Sequence, residues 1–328
     1  MKTIKLKYYG FWANFDPETF VVTRMLRKYF DVQICDDADY AIISALTDDY
    51  DFLKFKGVRI FFSAENVSMD PVLFDYGIAF DHMVLEDRYL RFPYAFFDGQ
   101  ITEWVSNKHV LPDDLLDRKE YFCALLTNAD DQHHMRSQLF EKLSAYKPVI
   151  SCGKFLKNSD MVVPFSAYRQ AQIEFYSKAK FVFCIENTSF PGYVTEKLPC
   201  GLASRAIPIY FGDPYVADEF NEDALIHCHK YLWNGGVDSI VERIVQLDQD
   251  DDAYLNVLRQ PSFKPDQHPM SIQDMIDFLV HIFEQDYEKA FRRADNHFAR
   301  NKSERLIVAK TEPNVFVRGL NKVKRVFG

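Results

Sequence analysis

Apolar residues in this chain fall mostly into short runs set between polar turns, with stretches of helical spacing between them. Ile4 to Tyr8 predicts a strand, broken at Gly10-Phe11-Trp12. Pro17 to Phe30 predicts a helix, because Phe20, Val21, Met25, Leu26 and Tyr29 recur at near-helical spacing. Strand signals follow at Val32 to Cys35, Tyr40 to Ser44 and Val58 to Phe62, the last running directly into Ser63-Ala64-Glu65-Asn66. The charged stretch Leu111 to Glu120 reads as a link. After it come a strand (Phe122 to Leu126), a helix (about His134 to Tyr146), a strand (Val149 to Cys152) and a helix (Ser166 to Ala179). The run Phe181 to Ile185 predicts a strand buried on both faces, and Ala206 to Tyr210 a second. Further on, Leu225 to Cys228 reads as a strand and Val237 to Leu247 as a helix with Ile240, Ile244 and Leu247 on one stripe. Asp248 to Asp252 reads as a solvated acidic turn. Ser271 to Phe283 is the clearest amphipathic helix, with Ser271 placed to cap it and Asp274 at its third position.

Strands alternating with helices predict an α/β protein with parallel sheets. A length of 328 residues suits two domains of about 150 residues each. The expected division is 1–117, 118–300 and a tail at 301–328. Ligands in such sheets bind beyond the carboxyl ends of strands, where Glu186-Asn187 follow the 181–185 run. A phosphate would find Lys197 and a helix start there, and a ribose diol would find Glu196. Pro199 is awkward in a helix begun near Val194, so that helix should kink or start later.

Ile185-Glu186-Asn187, Tyr193 to Lys197 and Ile207-Pro208-Ile209-Tyr210-Phe211-Gly212-Asp213-Pro214 stand in that order. Together they resemble the donor-binding motif of the α-1,3-fucosyltransferases, the family-10 glycosyltransferases. A second segment, Phe74 to Pro93 (FDYGIAFDHMVLEDRYLRFP), resembles the same family. The loop Thr188-Ser189-Phe190-Pro191-Gly192 departs from the glycine-richer form of bacterial members. The resemblance implies two Rossmann-type domains facing a cleft, the GT-B architecture. It also implies inverting transfer of L-fucose from GDP-fucose to a glycan hydroxyl, O3 of GlcNAc or Glc, on an oligosaccharide or lipid-linked acceptor. A GT-B transferase for another nucleotide sugar, or a non-catalytic sugar-nucleotide or glycan-binding protein, stays open.

Apolar content of 48% is ordinary for a globular protein, and the net charge of −9 argues against a nucleic-acid binder. Six cysteines lack any C-x-x-C spacing, which reads as free thiols in a reducing compartment. No apolar run approaches the roughly 18 residues of a membrane span, and the first residues lack a signal-peptide core. A bacterial-type, cytoplasmic protein is the expectation. The tail carries seven Lys and Arg against two acids, a net of +5 that leaves −14 on the other 300 residues. Its Phe316, Leu320, Val323 and Phe327 fall on one helical stripe, so peripheral contact with an anionic membrane is expected, against ordinary docking on the body.

Glu65 is the candidate catalytic base, since it follows a buried strand and partial burial behind Phe61 and Phe62 would suit it to take a proton. The resemblance implies the same role, because the family's base is a Glu-Asn ahead of the Phe-Asp-Tyr segment. Lys197 and Arg136 are the candidate diphosphate partners, with Arg169 as understudy; a bland alternative for Arg136 is a solvated residue pairing with Glu141. By resemblance Glu196 takes the ribose, Tyr193 lies beside the nucleotide, and Glu186 and Asn187 shape the fucose side. His133, His134, His227 and His229 lack acidic or Cys partners at ligand spacing and read as surface or core residues. Asp37-Ala38-Asp39 and Asp49-Tyr50-Asp51 match a metal-binding Asp-x-Asp by chance. No cofactor or metal is expected beyond GDP-fucose as the donor substrate.

Overall fold

The computed structural model describes residues 1–46, 50–164, 168–233, 235–290, 292 and 302–307. Their strands form two sheets, one in each of two compact units. In the first, β1 (Thr3–Tyr9), β2 (Asp31–Ile34), β3 (Tyr40–Ser44), β4 (Val58–Phe62), β5 (Tyr76–Ala79) and β6 (Tyr89–Arg91) stand in the order β2-β1-β3-β4-β5-β6. Pairing from β2 through β5 is parallel. β3 and β4 are buried at every position, as central parallel strands covered on both faces must be.

The helix expected over 17–30 is shorter: α1 runs Val21–Leu26. Upstream, the Asp16 carboxylate accepts from Glu18 N, and Thr19 Oγ1 donates to the Asp16 carbonyl. These local bonds offer the backbone an alternative to the helix. Phe20 instead joins an aromatic cluster with Tyr8, Phe11 and Phe15.

The second unit continues with α2 (Gly99–Ser106), β7 (Tyr121–Leu125), α3 (Met135–Ser144), β8 (Val149–Ser151), α4 (Tyr168–Ser177), β9 (Ala179–Ile185), α5 (Lys197–Ala203), β10 (Ile207–Phe211) and β11 (Ile226–His227). Its sheet order is β11-β10-β9-β7-β8, and all four pairings are parallel. α6 (Cys228–Leu232), α7 (Gly236–Gln249) and α8 (Asp251–Arg259) follow, and α9 (Ile272–Glu284) belongs to the first unit from Met275 on. α5 begins at Lys197, so Pro199 falls in its first turn, where a backbone N–H has no helical partner to lose.

The units divide elsewhere than at 117 and 118. Residues 91–274, with 80–82, group with the second sheet, and 1–79, 83–90 and 275 onward with the first. The stretch read as a link carries Leu115, which is buried in the second core beside Leu125 and Leu139. The backbone of Ala95 donates to Val194 O, and the buried Lys108 Nζ donates to Leu258 O. At the other end, Phe283 of α9 packs on Phe30 and Tyr40, and Lys2 Nζ donates to its carbonyl. The helical segment 302–307 also docks on the first unit: Glu304 pairs with the fully buried Arg59 at 2.8 Å, and Ile307 packs on the core around Phe52 and Phe55. The rest of the expected basic tail, Asn301 and residues 308–328, lies outside the described residues.

Asp248 is not part of a solvated turn. It is buried at the end of α7 and accepts from Lys147 Nζ (2.5 Å) and Tyr146 OH (3.0 Å), with Lys180 Nζ also at 3.0 Å. Burial pushes its pKa up, but Lys147 and Lys180 outweigh that and hold it below the usual carboxylate range. A depressed carboxylate stabilises the fold above its unfolded pKa, and that contribution is lost as the pH falls through the folded value. Asp248→Asn is expected to lose about 1–3 kcal/mol at neutral pH. In chemical denaturation the gap to wild type should close in the acid range; a gap independent of pH would show that the charge is not its source.

Candidate functional site

Within the second sheet the chain passes from β7 outward to β8, then crosses back to β9 on the other side of β7. The topological switch point therefore lies between β7 and β9, where loops leave the carboxyl edge in opposite directions and open a crevice. A cavity of about 540 Å³ occupies that place. Its wall comes from Leu126 to Ala129 after β7, Cys152 to Lys154 and Met161 to Val163 after β8, and Asn187 after β9, with Arg136, Gln172, Glu196 and Lys197 from the helices. Cys152 N bonds to Leu125 O, Phe155 N to Thr127 O and Lys154 N to Asn128 Oδ1. Gly153 is required by this closeness, since a Cβ there would lie 1.8 Å from Thr127 O.

Arg136, second residue of α3, is buried in the wall rather than solvated beside Glu141. Its Nη1 donates to Ala129 O (2.9 Å), and its Nη2 to Ile185 O (2.5 Å) and Asn187 Oδ1 (3.0 Å). One guanidinium thus joins the loop after β7 to the end of β9. Asp131 caps the helix through Arg136 N and His133 N. Burial lowers the Arg136 pKa, with Asp131 and Glu186 opposing it, and a guanidinium so placed stays charged.

Glu186, the residue after β9, is wholly buried and accepts from Thr195 N (2.8 Å), Thr195 Oγ1 (2.7 Å) and Lys197 Nζ (3.0 Å). The other flank of Lys197 is Glu196, at 3.6 Å. Burial alone would lower the Lys197 pKa, but Glu186 and then Glu196 outweigh it and raise it. Burial likewise pushes Glu196 up, and Lys197 brings it below the usual range. Both groups are held ionised. The result is a fixed ammonium on the wall, with a half-buried carboxylate next to it.

The structure thus brings together Arg136, Asn187, Glu196 and Lys197 around one cavity, with Glu186 behind them. Tyr193 does not line it: the ring is buried against Phe80, 5.2 Å away. The loop before it is pinned by Ser189 Oγ donating to Gly212 O (2.7 Å) and turns through Gly192, whose φ of +83° disfavours other residues. Arg169 is engaged with Asp98 (3.2 Å) and Tyr94 OH (2.9 Å). Glu65 stands in the first unit, just past β4, with Ser63 Oγ bridging its backbone N and O. Phe61 and Phe62 are buried but Glu65 is exposed, so the expected partial burial is corrected: the chain turns outward after Ser63.

His133 and His134 are exposed, and His227 is buried. Among the described residues no group of three or more His, Cys, Asp or Glu could hold a metal ion. Asp37 pairs with Lys5, and Asp51 with Lys54; Asp49 lies outside the described residues. Among the described residues no helix is long and apolar enough to cross a membrane. Sequence reasoning missed Lys154, Lys157 and Gln172 in the wall and Thr195 behind it. Thr195 was within reach, since it sits inside the Tyr193 to Lys197 motif. The two lysines carry no local pattern that marks them.

Residues 6–97 match the N-terminal domain of the alpha-(1,3)-fucosyltransferase FucT, and residues 115–275 match the C-terminal domain of glycosyltransferase family 10 (fucosyltransferase). The chain belongs to glycosyltransferase family 10. Among the curated relatives of this family-10 chain, the alpha-(1,3)-fucosyltransferase FucT of Helicobacter pylori is 30% identical over 230 residues, 61% of this chain and 46% of that one. A putative fucosyltransferase of Acanthamoeba polyphaga mimivirus is 31% identical over 176 residues, 52% of this chain and 28% of that one. The matched stretch thus spans less than half of either relative. A solved alpha1,3-fucosyltransferase structure superposes with a TM-score of 0.72 at 23% identity, covering 87% of this chain and 91% of that one. Another, with GDP-fucose, gives 0.70 at 23%, covering 87% and 92%. At that identity the likeness is one of fold, and the family-10 chain is GT-B in type.

Glu186→Ala should leave Lys197 and Thr195 without their buried acceptor and cost about 3–5 kcal/mol of stability. Glu186→Gln, which keeps one acceptor oxygen, should cost less. Urea denaturation of the two variants checks this, and equal losses would show that the charge of Glu186 carries the whole effect and the kept acceptor oxygen none of it.

Proposed function

We propose that this family-10 protein transfers L-fucose from GDP-fucose to a hydroxyl of a glycan acceptor, O3 of GlcNAc or Glc, with inversion at the anomeric carbon. What carries the reading is the pair of held cations, Arg136 and Lys197, on a switch-point cavity whose rim adds the exposed Lys154 and Lys157. Glu196 and the buried Glu186 balance Arg136 and Lys197 within the resting wall, so an incoming diphosphate meets the lysines of the loop after β8 as the surplus charge. The family's GDP-fucose chemistry fits that wall: diphosphate on the cations, ribose diol on Glu196.

In this reading the acceptor oxygen attacks the anomeric carbon as the bond to the diphosphate breaks, and GDP departs with the electron pair. Charge builds on the leaving phosphate oxygens, where Lys197 and Arg136 stabilise it more in the transition state than in the ground state. Glu65 takes the acceptor's proton. Its support is its place at the carboxyl end of β4 within the segment that matches the FucT N-terminal domain. A metal is not needed in this scheme, because side-chain cations meet the diphosphate.

The test follows GDP release from GDP-fucose with a GlcNAc-terminated acceptor, with and without EDTA. Turnover should survive EDTA, and Glu65→Gln should lose about 10²–10⁴-fold in kcat with little change in donor KM. A Gln variant that keeps more than about a tenth of wild-type turnover would remove Glu65 from the role of general base. Loss of activity in EDTA with rescue by Mn²⁺ would overturn the metal-free scheme. No turnover with GDP-fucose, set against turnover with another nucleotide sugar, would move the chain to a different donor.

A further inference from the structure

The buried stripe of α4 is formed by positions 172, 175 and 176, and position 179 at the start of β9 continues it. Phe175, Tyr176 and Ala179 are core residues by chemistry. Gln172 is not, yet it is only 2% exposed. Its Oε1 is sealed from solvent and has no hydrogen-bond partner. A buried amide oxygen without a partner opposes folding, so such groups are rare unless something else supplies the bond. Gln172 lines the same cavity as Arg136 and Lys197.

The rest of that wall already divides a nucleoside diphosphate between its residues. Arg136, Lys154, Lys157 and Lys197 suit the phosphates, and Glu196 suits the ribose. Leu126, Met161, Val162 and Val163 supply an apolar surface of the kind a base packs on. Among the described residues no other amide on the wall matches the state of Gln172: Asn187 is exposed and tied to Arg136, and Asn128 accepts from Lys154 N. Resting on the donor reading above, we propose that Gln172 reads the base. The side chain turns to bring Oε1 out to the cavity; its carbonyl then accepts the ring N1–H of guanine while its amide N–H donates to O6, the paired arrangement that an amide and an imide edge make. Adenine has no ring N–H at that edge, so its order of donor and acceptor is the reverse. The carbonyl oxygen is buried unpaired in the free protein because its partner arrives with the donor. Gln172 is thus a specificity residue and touches none of the reacting atoms.

The experiment compares wild type with Gln172→Met, which keeps the shape and removes the hydrogen bonds, by calorimetric titration with GDP, ADP and inorganic pyrophosphate. GDP affinity should fall roughly 10- to 100-fold, the range for losing one bidentate base contact. Pyrophosphate affinity should hold, and the preference for GDP over ADP should shrink towards unity. The melting temperature of the free variant should hold or rise, whereas an amide with a structural role would lower it. Unchanged GDP affinity in the variant, with wild type binding GDP, would overturn the role of Gln172 and leave the donor reading standing. Wild type binding pyrophosphate but showing no preference for GDP would overturn it as well. Wild type binding no nucleotide at all would remove both.

Discussion

A carboxylate sealed from water opposes folding unless donors meet it, and at the end of β9 Glu186 is met by groups nine and eleven residues further along the chain. Thr195 gives it a backbone N–H and a hydroxyl, and Lys197 gives it an ammonium. Those bonds fix where α5 begins, and so where Lys197 and Glu196 meet the cavity. Arg136 holds the same strand end from the other side, through Ile185 O and Asn187. The wall is therefore charged and rigid before any ligand arrives. Its cations need not be gathered at the moment of reaction, which is the condition for electrostatic stabilisation to act on a leaving group.

Much of this was legible in the chain. Buried parallel strands advertise themselves as uninterrupted apolar runs, and β3, β4, β9 and β10 begin within two residues of where Tyr40, Val58, Phe181 and Ala206 open theirs. Helix α9 was read from its stripe and its cap, and the cap is present: Asp274 Oδ2 accepts from Ser271 N and Oγ. The misses share one cause, which is that tertiary partners decide them. Asp248 looks like a surface acid until Lys147 and Lys180, from distant stretches, close on it. Leu115 looks like a residue of a link until the second core takes it in. Glu65 follows a buried strand, but the bonds that Ser63 makes with its backbone direct its side chain outward, and no pattern of apolar residues encodes that. Gln172 sits in an aromatic stripe, and only burial together with the lack of a partner gives it meaning.

The order in which the chain emerges gives a last consequence. Apart from residues 80–82, the second unit is one continuous stretch from 91 to 274, so all its strands are available once that stretch has been made. The first unit is split in sequence: β1 to β5 are synthesised first, yet Phe283, which covers Phe30 and Tyr40, and Glu304, which neutralises the buried Arg59, come last. During synthesis the earlier-made sheet therefore waits, with an aromatic surface uncovered and the buried Arg59 still lacking its Glu304 carboxylate, while the later-made one can already close. For this chain the usual expectation that amino-terminal structure matures first is reversed. A ribosome that stalls before α9 would release a protein whose finished half is its second and whose exposed, aggregation-prone half is its first.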